Sequence, residues 1–204
     1  MKKRDIKSRK KKQIIRDYNQ SSIFYDARYK KIQFEKYTLI FSNITLEDTF
    51  ILDAGCGTGL LFEYFYLNAD NWNSSITNHY VGIDISLKML KLFSNKIRNK
   101  YSNLEDKVGL ILADLEHLPF RKNVFKSVFS LTSLQNLPEK DKGLLEMVRV
   151  LKLGAELKLS ILKKKIDFKE FIEFVESYLC NLKIINNSNL EDLIIFGKLN
   201  RQFP

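Results

Sequence analysis

The chain has 204 residues, 45% of them hydrophobic, which is enough for one domain with a sizeable buried core. No apolar run approaches the roughly 20 residues of a membrane span, and no apolar segment of a secretory signal follows the basic N-terminus. The only cysteines, Cys56 and Cys180, form no disulfide or zinc-binding pattern. We therefore predict a cytoplasmic protein without a metal site.

The net charge of +10 is concentrated at the N-terminus. Residues 1–16 hold nine Lys or Arg and one acid, Asp5, which gives +8. Blocks of this kind are usually disordered and often contact polyanions. We predict a basic N-terminal arm over residues 1–17, with RNA as a candidate partner and a solvated tail as the alternative. Residues 18–204 are predicted to form a single domain.

Hydrophobic periodicity predicts a helix over residues 18–43, followed by alternating strands and helices. Ser86 is the expected N-cap of the second helix after the first strand. The predicted strands are Thr49–Asp53, Tyr80–Ile85, Val108–Ala113, Val124–Leu131, Glu156–Leu162, Lys183–Ile185 and Leu193–Phe196. The predicted later helices are Thr58–Leu67, the segment from Leu87 to Ile97, Lys140–Leu151 and Phe168–Leu179.

This alternation predicts an α/β, doubly wound fold with helices on both faces of a mostly parallel sheet. The segment between the last two strands is too short for a crossover helix, so these strands should pair antiparallel. The expected architecture is a seven-stranded, mostly parallel sheet with an antiparallel C-terminal strand. Such a sheet binds its ligand at the carboxyl ends of the strands, at the topological switch point.

A glycine-rich motif lies where the first strand meets the next helix. It reads DAGCGTG, with Gly55, Gly57 and Gly59 at alternate positions, which lets the backbone turn sharply and approach a ligand closely. A dinucleotide-binding fingerprint needs two residues between its second and third glycines. Here only Thr58 separates them, so the motif disfavours a nicotinamide cofactor.

The motif resembles motif I of the class I S-adenosylmethionine-dependent methyltransferases. The resemblance implies that Asp84, after the second strand, accepts the ribose hydroxyls and that Asp114, after the third, meets the adenine amino group. Residues 146–155 are similar to the family pattern E-x-x-R-V-L-K-P-G-G, with Leu153 and Ala155 replacing Pro and Gly at an expected turn. Residues Tyr25, Asp26 and Tyr29 resemble the family's lid segment. The implied cofactor-binding residues are Asp53, Gly55, Cys56, Gly57, Thr58, Gly59, Asp84, Ile85, Asp114, Leu115, Ser130 and Leu131.

The sequence identifies no catalytic residue. Methyl transfer mainly requires alignment of the nucleophile with the methyl carbon and exclusion of water. We expect surface or structural roles for His79 and His117, and no nucleophilic role for Cys56. Gln135 and Asn136 either orient a substrate or cap a helix.

The acceptor is left open by the sequence. After the fourth strand, Ser130–Pro138 lacks the Asn/Asp-Pro-Pro-aromatic motif of many base methyltransferases and resembles the subgroup that includes quinone C-methyltransferases. Short insertions and the basic arm nevertheless lead us to predict a macromolecular acceptor, RNA or a ribosome-associated protein. The alternatives are a small-molecule or quinone methyltransferase and a non-catalytic cofactor-binding subunit. The presence of Asp53, Asp84 and Asp114 disfavours the subunit, and an accessory subunit stays an open alternative.

Overall fold

The computed structural model describes residues 2–42, 50–68 and 79–200. Its helices are α1 (Lys2–Phe41), α2 (Leu60–Leu67), α3 (Leu87–Lys100), α4 (Lys140–Val150) and α5 (Phe168–Glu176). Its strands are β1 (Ile51–Ala54), β2 (Tyr80–Asp84), β3 (Val108–Leu112), β4 (Phe125–Leu131), β5 (Leu151–Leu162), β6 (Leu179–Ile185) and β7 (Asp192–Leu199). Within these ranges, none of the helices combines the length and the apolar character that crossing a membrane requires.

The strands form a seven-stranded sheet in the order β3-β2-β1-β4-β5-β7-β6. β1 pairs in parallel with both β2 and β4, so the strand order reverses direction at β1. β7 runs antiparallel to both β5 and β6, which confirms the predicted fold class and the antiparallel pairing of the last two strands. The carboxyl ends of β1, β2, β3 and β4 therefore meet at one edge, where a ligand is expected.

The first helix corrects one prediction. The expected disordered arm is helical from Lys2 and continues without a break into the helix predicted over residues 18–43, which ends at Phe41. Lys, Arg and Gln are good helix formers. The negative charge of Asp5 in the first turn also interacts favourably with the helix dipole. Contacts with distant loops, described below, also hold this segment. The end predicted for this helix, residue 43, lies outside the described residues.

The fifth strand begins earlier than predicted, at Leu151 rather than Glu156. The residues expected to form a turn, 153–155, lie inside this strand instead. Gly154 has a φ of 75°, and the register shifts between the pair Phe125–Leu151 and the pair Ser127–Glu156. An irregularity within the strand thus replaces the predicted turn.

Two hydrophobic layers cover the sheet. α4 and α5 pack on one face, where the core includes Leu52, Val128 and Met147. α2, α3 and the C-terminal end of α1 cover the other face, and this layer is rich in aromatic residues. β7 contributes to both layers. Leu193 and Ile195 face the layer of α4 and α5, and Ile194 and Phe196 face the aromatic layer. The two layers fix the strands whose carboxyl ends form the site.

Candidate functional site

The turn after β1 is built by its glycines and by bonds to β2. The backbone N–H groups of Gly55 and Cys56 both donate to the Ile83 carbonyl, at 2.8 and 2.9 Å. Gly55 has a φ of 93°, and a Cβ there would lie 2.4 Å from the Cβ of Ser133. Gly57 has a φ of 54° and open space where a Cβ would stand. The first glycine thus allows the turn to touch the β4 loop, and the second leaves room for a ligand against the backbone.

Asp84 ends β2 and lines the pocket above this turn. Its Oδ2 accepts from the Gly57 N–H at 3.0 Å, and its Oδ1 accepts from the Ser86 N–H at 2.7 Å. Burial raises the pKa of this carboxyl, and the backbone hydrogen bonds oppose the rise. Two backbone donors therefore hold the carboxylate in one orientation at the pocket edge. Ser86 also caps α3 as predicted, accepting from the Met89 N–H at 3.2 Å.

Asp114 follows β3 and lines the same pocket. Its Oδ1 accepts from the Glu116 N–H at 2.9 Å, and its Oδ2 lies 2.5 Å from the Lys11 Nζ. The same ammonium lies 2.5 Å from the Glu116 carboxylate. Partial burial raises the pKa of Asp114, but the hydrogen bond and charge of Lys11 outweigh it and the pKa lies below its ordinary value. The ammonium group of Lys11 is therefore paired with the carboxylate that is expected to bind the adenine amino group.

Helix α1 forms the opposite wall of the pocket. Lys11, Ile14, Tyr18 and Tyr25 line the pocket from this helix. The loop after β4 supplies the rest of the wall. The lining residues of that loop, together with the last residue of β4, are Leu131, Thr132, Ser133, Asn136, Leu137 and Pro138.

The pocket brings together seven of the twelve predicted cofactor-binding residues. These are Gly55, Gly57, Asp84, Ile85, Asp114, Leu115 and Leu131. Of the other five, Asp53 is buried and accepts a hydrogen bond from the Tyr80 hydroxyl. Ser130 is buried and bonds Ser133, Oγ to Oγ, at 2.7 Å.

The remaining three predicted residues build the turn and connect it to neighbouring helices. Thr58 donates its hydroxyl hydrogen bond to Asp26 of α1, and Gly59 begins α2 against the ring of Phe93. Cys56 is buried, and burial raises the pKa of its thiol well above its ordinary value, in keeping with the absence of a nucleophilic role.

The polar candidates named from the sequence separate into two groups. Asn136 lines the pocket, whereas Gln135 is buried and donates from Nε2 to the Thr132 carbonyl at 2.7 Å. His117 is largely exposed, with its Nδ1 3.6 Å from the Asp114 carboxylate. His79 stacks on Phe50, with ring centroids 5.1 Å apart. Of the four, only Asn136 is placed to contact a ligand in the pocket.

Sequence reasoning missed two lysines on α1. Lys11 belongs to a run of basic residues, and nothing in that run distinguishes it from its neighbours. Lys36, which lies behind the pocket wall, carried a usable signal. It shares a helical face with Gln33, Tyr37 and Ile40, all buried, and a lysine on such a face is rarely buried without a partner.

The residues present fit the cofactor implied by the resemblance. An adenosyl group needs an acceptor for its ribose hydroxyls, an acceptor for its amino group and backbone without side chains beneath it. Asp84 and Asp114 are carboxylates at adjacent strand ends, and Gly57 leaves the space beside its backbone open. These side chains would bind and orient S-adenosylmethionine, which supplies an activated methyl group when bound.

Comparisons with known proteins identify the family of the chain. A family model described as "Methyltransferase domain" matches residues 52–159. The ubiquinone/menaquinone biosynthesis C-methyltransferase UbiE of Wigglesworthia glossinidia brevipalpis is 34% identical over 191 residues, which cover 89% of this chain and 72% of that protein. The demethylmenaquinone methyltransferase of Lactiplantibacillus plantarum is 34% identical over 113 residues, 52% of this chain and 42% of that protein. The chain therefore spans less than half of the second relative.

A solved structure gives the same result for the fold. A SAM dependent methyltransferase from Aquifex aeolicus superposes with a TM-score of 0.68 at 16% identity, covering 89% of this chain and 98% of that one. At this identity the likeness concerns the fold alone, and the family follows from the sequence matches. The chain belongs to the methyltransferase domain family and is a class I S-adenosylmethionine-dependent methyltransferase that resembles the quinone methyltransferases.

Proposed function

We propose that this protein transfers a methyl group to a ring carbon of a reduced quinone. The single observation that carries the proposal is the position of α1, which encloses the pocket with Ile14, Tyr18 and Tyr25. Aromatic and apolar side chains on one wall of the pocket suit a flat aromatic acceptor better than an extended macromolecule. The names of two relatives, a ubiquinone/menaquinone C-methyltransferase and a demethylmenaquinone methyltransferase, support the same acceptor class.

The chemistry asks little of acidic or basic side chains. A quinol ring carbon beside a hydroxyl is nucleophilic once that hydroxyl gives up its proton. Bound S-adenosylmethionine would supply the methyl group and leave as a neutral thioether, while the ring proton that the methyl group replaces and the hydroxyl proton would pass to solvent. The protein's own contribution is to hold the ring in line and to exclude water. The apolar wall of the pocket can perform both tasks.

A macromolecular acceptor, our prediction from the sequence, is the second candidate. The observation that favours it is the outer face of α1, where Arg9, Lys12 and Arg16 are exposed and lie on one side at helical spacing. On the inner face, Lys7 pairs with Glu139 and Lys11 with Asp114. Only part of the N-terminal charge is therefore available to a polyanion such as RNA.

A labelling experiment separates the two candidates. The protein is incubated with methyl-labelled S-adenosylmethionine and either 1,4-naphthoquinol or total RNA with ribosomal protein. We expect label in the naphthoquinol. The matched control is Asp84→Ala, which should weaken cofactor binding at least tenfold, because a charge-assisted hydrogen bond contributes about 1.5–3 kcal/mol. Label confined to RNA or protein would overturn the quinol proposal and support the second candidate.

A further inference from the structure

A buried ion pair lies directly behind the pocket wall. The Lys36 Nζ of α1 lies 2.6 Å from the Asp192 Oδ2 at the start of β7, and the two side chains are 2% and 9% exposed. The same ammonium donates to the Thr132 Oγ1. Burial lowers the pKa of Lys36, and the Asp192 charge opposes this. Among the described residues, the hydrogen bonds of this pair reach the pocket lining through Thr132.

Thr132 has an unusual backbone conformation. Its φ is 59°, in the left-handed region that β-branched residues rarely adopt. Its N–H donates to the Ser160 carbonyl at 2.9 Å. Its own carbonyl accepts from Gln135 Nε2 at 2.7 Å and from Asn136 Nδ2 at 3.4 Å. Contacts on the side chain, the N–H and the carbonyl thus hold a strained residue in place, as is common at functional sites.

The amide held by Thr132 belongs to a polar pair that lines the pocket. Asn136 Nδ2 also donates to the Tyr18 hydroxyl, at 2.7 Å. Among the described residues, no further hydrogen bond uses the Asn136 Oδ1 or the Tyr18 hydroxyl proton. One free acceptor beside one free donor matches a hydroxyl group, which both donates and accepts. The pair thus offers a place for the hydroxyl of an acceptor.

Stability alone gives little reason for the ion pair. A buried pair is weak evidence for stability, because apolar residues of similar volume often serve as well. In the described part of the chain, Asp192 Oδ1 and Gln135 Oε1 are also buried without a hydrogen-bond partner. Unsatisfied groups of this kind call for an explanation. Both belong to the network around Thr132.

We propose that Lys36 and Asp192 are positioning residues that fix Thr132, and through it the Asn136–Tyr18 pair, so that this pair binds a hydroxyl of the methyl acceptor. The inference rests on the proposed function, because it assigns the quinol hydroxyl a place. Lys36 is separated from the acceptor by Thr132 and acts only through it.

Three variants test the positioning role. Thr132→Ala removes the hydroxyl that Lys36 contacts, and Thr132→Ser keeps it as the conservative control. Lys36→Met alone leaves the Asp192 charge buried and unpaired and is at risk of unfolding, so the pair is replaced together as Lys36→Met with Asp192→Leu. The cofactor Kd is measured by calorimetry, and kcat and KM are measured with 1,4-naphthoquinol.

We expect the variants to lose activity toward the acceptor while they keep their affinity for the cofactor. In Thr132→Ala and in the double variant, kcat/KM for naphthoquinol should fall about tenfold, while the cofactor Kd stays within about twofold. Thr132→Ser should retain most of the activity. Wild-type kcat/KM in the first two variants, or a loss matched by an equal loss of cofactor affinity, would overturn the proposal.

A second measurement does not depend on the acceptor. The side-chain amide of Asn136 is followed by ¹⁵N NMR and assigned by its absence in Asn136→Asp. Its resonances should shift in Thr132→Ala and in the double variant but stay in place in Thr132→Ser. If the wild type fails to methylate naphthoquinol, the proposed function fails, and the amide shift still decides the positioning role. Unchanged resonances in all three variants would refute it.

Discussion

The two ends of α1 are held in place by different physical means. At the N-terminal end, Lys7 pairs with Glu139 at side-chain exposures of 43% and 36%. At the C-terminal end, Lys36 and Asp192 are almost completely buried, and Phe41 packs among aromatic rings. Exposed ion pairs contribute little to stability, whereas buried aromatic packing contributes several kcal/mol. One continuous helix therefore consists of a buried anchor, Lys36–Phe41, and a more exposed cover, residues 5–17.

The largest expected difference between the two ends is in stability. The Phe41 ring centroid lies 5.8, 5.0 and 5.7 Å from those of Tyr64, Phe65 and Phe129. Phe41→Ala should lower the free energy of unfolding by about 3–5 kcal/mol. Ile14→Ala, in the half-buried cover, should cost about 1 kcal/mol or less. Urea unfolding monitored by circular dichroism measures both, and similar losses would contradict the division of the helix.

Acidification should affect the core beneath the site and the N-terminal end of α1 in opposite directions. Burial raises the pKa of Asp53 to about 7, the Tyr80 hydrogen bond opposes the rise and the Asp84 charge adds to it. The folded state therefore binds more protons than the unfolded state, whose Asp pKa is about 3.9. The resulting stabilisation is fully present below about pH 4 and is lost as the pH rises through 7.

At the N-terminal end of α1, stability changes with pH in the opposite direction. The pKa of Glu139 is lowered by Lys7, and that of Asp114 lies below its ordinary value beside Lys11. These contacts are present above about pH 4.5 and are lost as the pH falls through the lowered pKa values. We expect the Tm to rise from pH 8 to pH 5 by an amount worth at most a few kcal/mol, and Asp53→Asn to flatten this rise. Hydrogen exchange should show residues 5–17 opening only below about pH 4. If the wild type and Asp53→Asn give parallel profiles of Tm against pH, Asp53 is not the cause of the rise.

The contact between Lys11 and Asp114 should weaken cofactor binding modestly. The Lys11 ammonium pairs with Oδ2 of Asp114, the carboxylate that is expected to meet the adenine amino group, and the two side chains are 22% and 24% exposed. Lys11→Met should tighten S-adenosylmethionine binding by no more than about fivefold, the equivalent of about 1 kcal/mol. The matched control is Lys12→Met, which removes the same charge from an exposed position. An equal effect in both variants would mean that overall charge is responsible, and looser binding in Lys11→Met would mean that this lysine assists the cofactor.

The smallest effect is expected on the outer face of α1. Replacing Arg9, Lys12 and Arg16 together with Gln should change the free energy of unfolding by less than about 0.5 kcal/mol at each site. It should also leave naphthoquinol turnover unchanged. If RNA binds this face, the slope of log affinity against log salt should lose about 2, since each single-stranded phosphate contact contributes about 0.7. Filter binding at two salt concentrations measures the slope, and loss of turnover in the triple variant would contradict a small-molecule acceptor.

Short-range patterns explain what the sequence could predict. Asp84 and Asp114 follow strands whose hydrophobic runs are visible in the sequence, and the glycine motif marks the turn after β1. These signals locate the carboxyl edge of the sheet and seven of the residues that line the pocket. Asp53 and Cys56 belong to the same motif but support the turn from beneath, a distinction that the spacing of the motif does not contain.

Long-range contacts explain what the sequence could not predict. Lys11 and Asp114 are 103 residues apart, and Lys36 and Asp192 are 156 residues apart. Local composition favoured a disordered arm, because the acids that hold Lys7 and Lys11 lie in loops after β3 and β4. The left-handed conformation of Thr132 is likewise imposed by groups from α1, β5 and the β4 loop, and a threonine at this position carries no local signal for it.

The continuity of α1 also determines how the parts of the site are linked. At 1.5 Å per residue, Lys11 lies roughly 37 Å along the helix axis from Lys36, with no glycine or proline between them. Between these two points, Asp26 accepts from the Thr58 hydroxyl and pairs with Lys96 of α3, and Asn19 accepts from the Ser86 hydroxyl. The strand ends that carry the glycine motif and Asp84 are thus tied to the same rigid rod that carries Lys11 to Asp114.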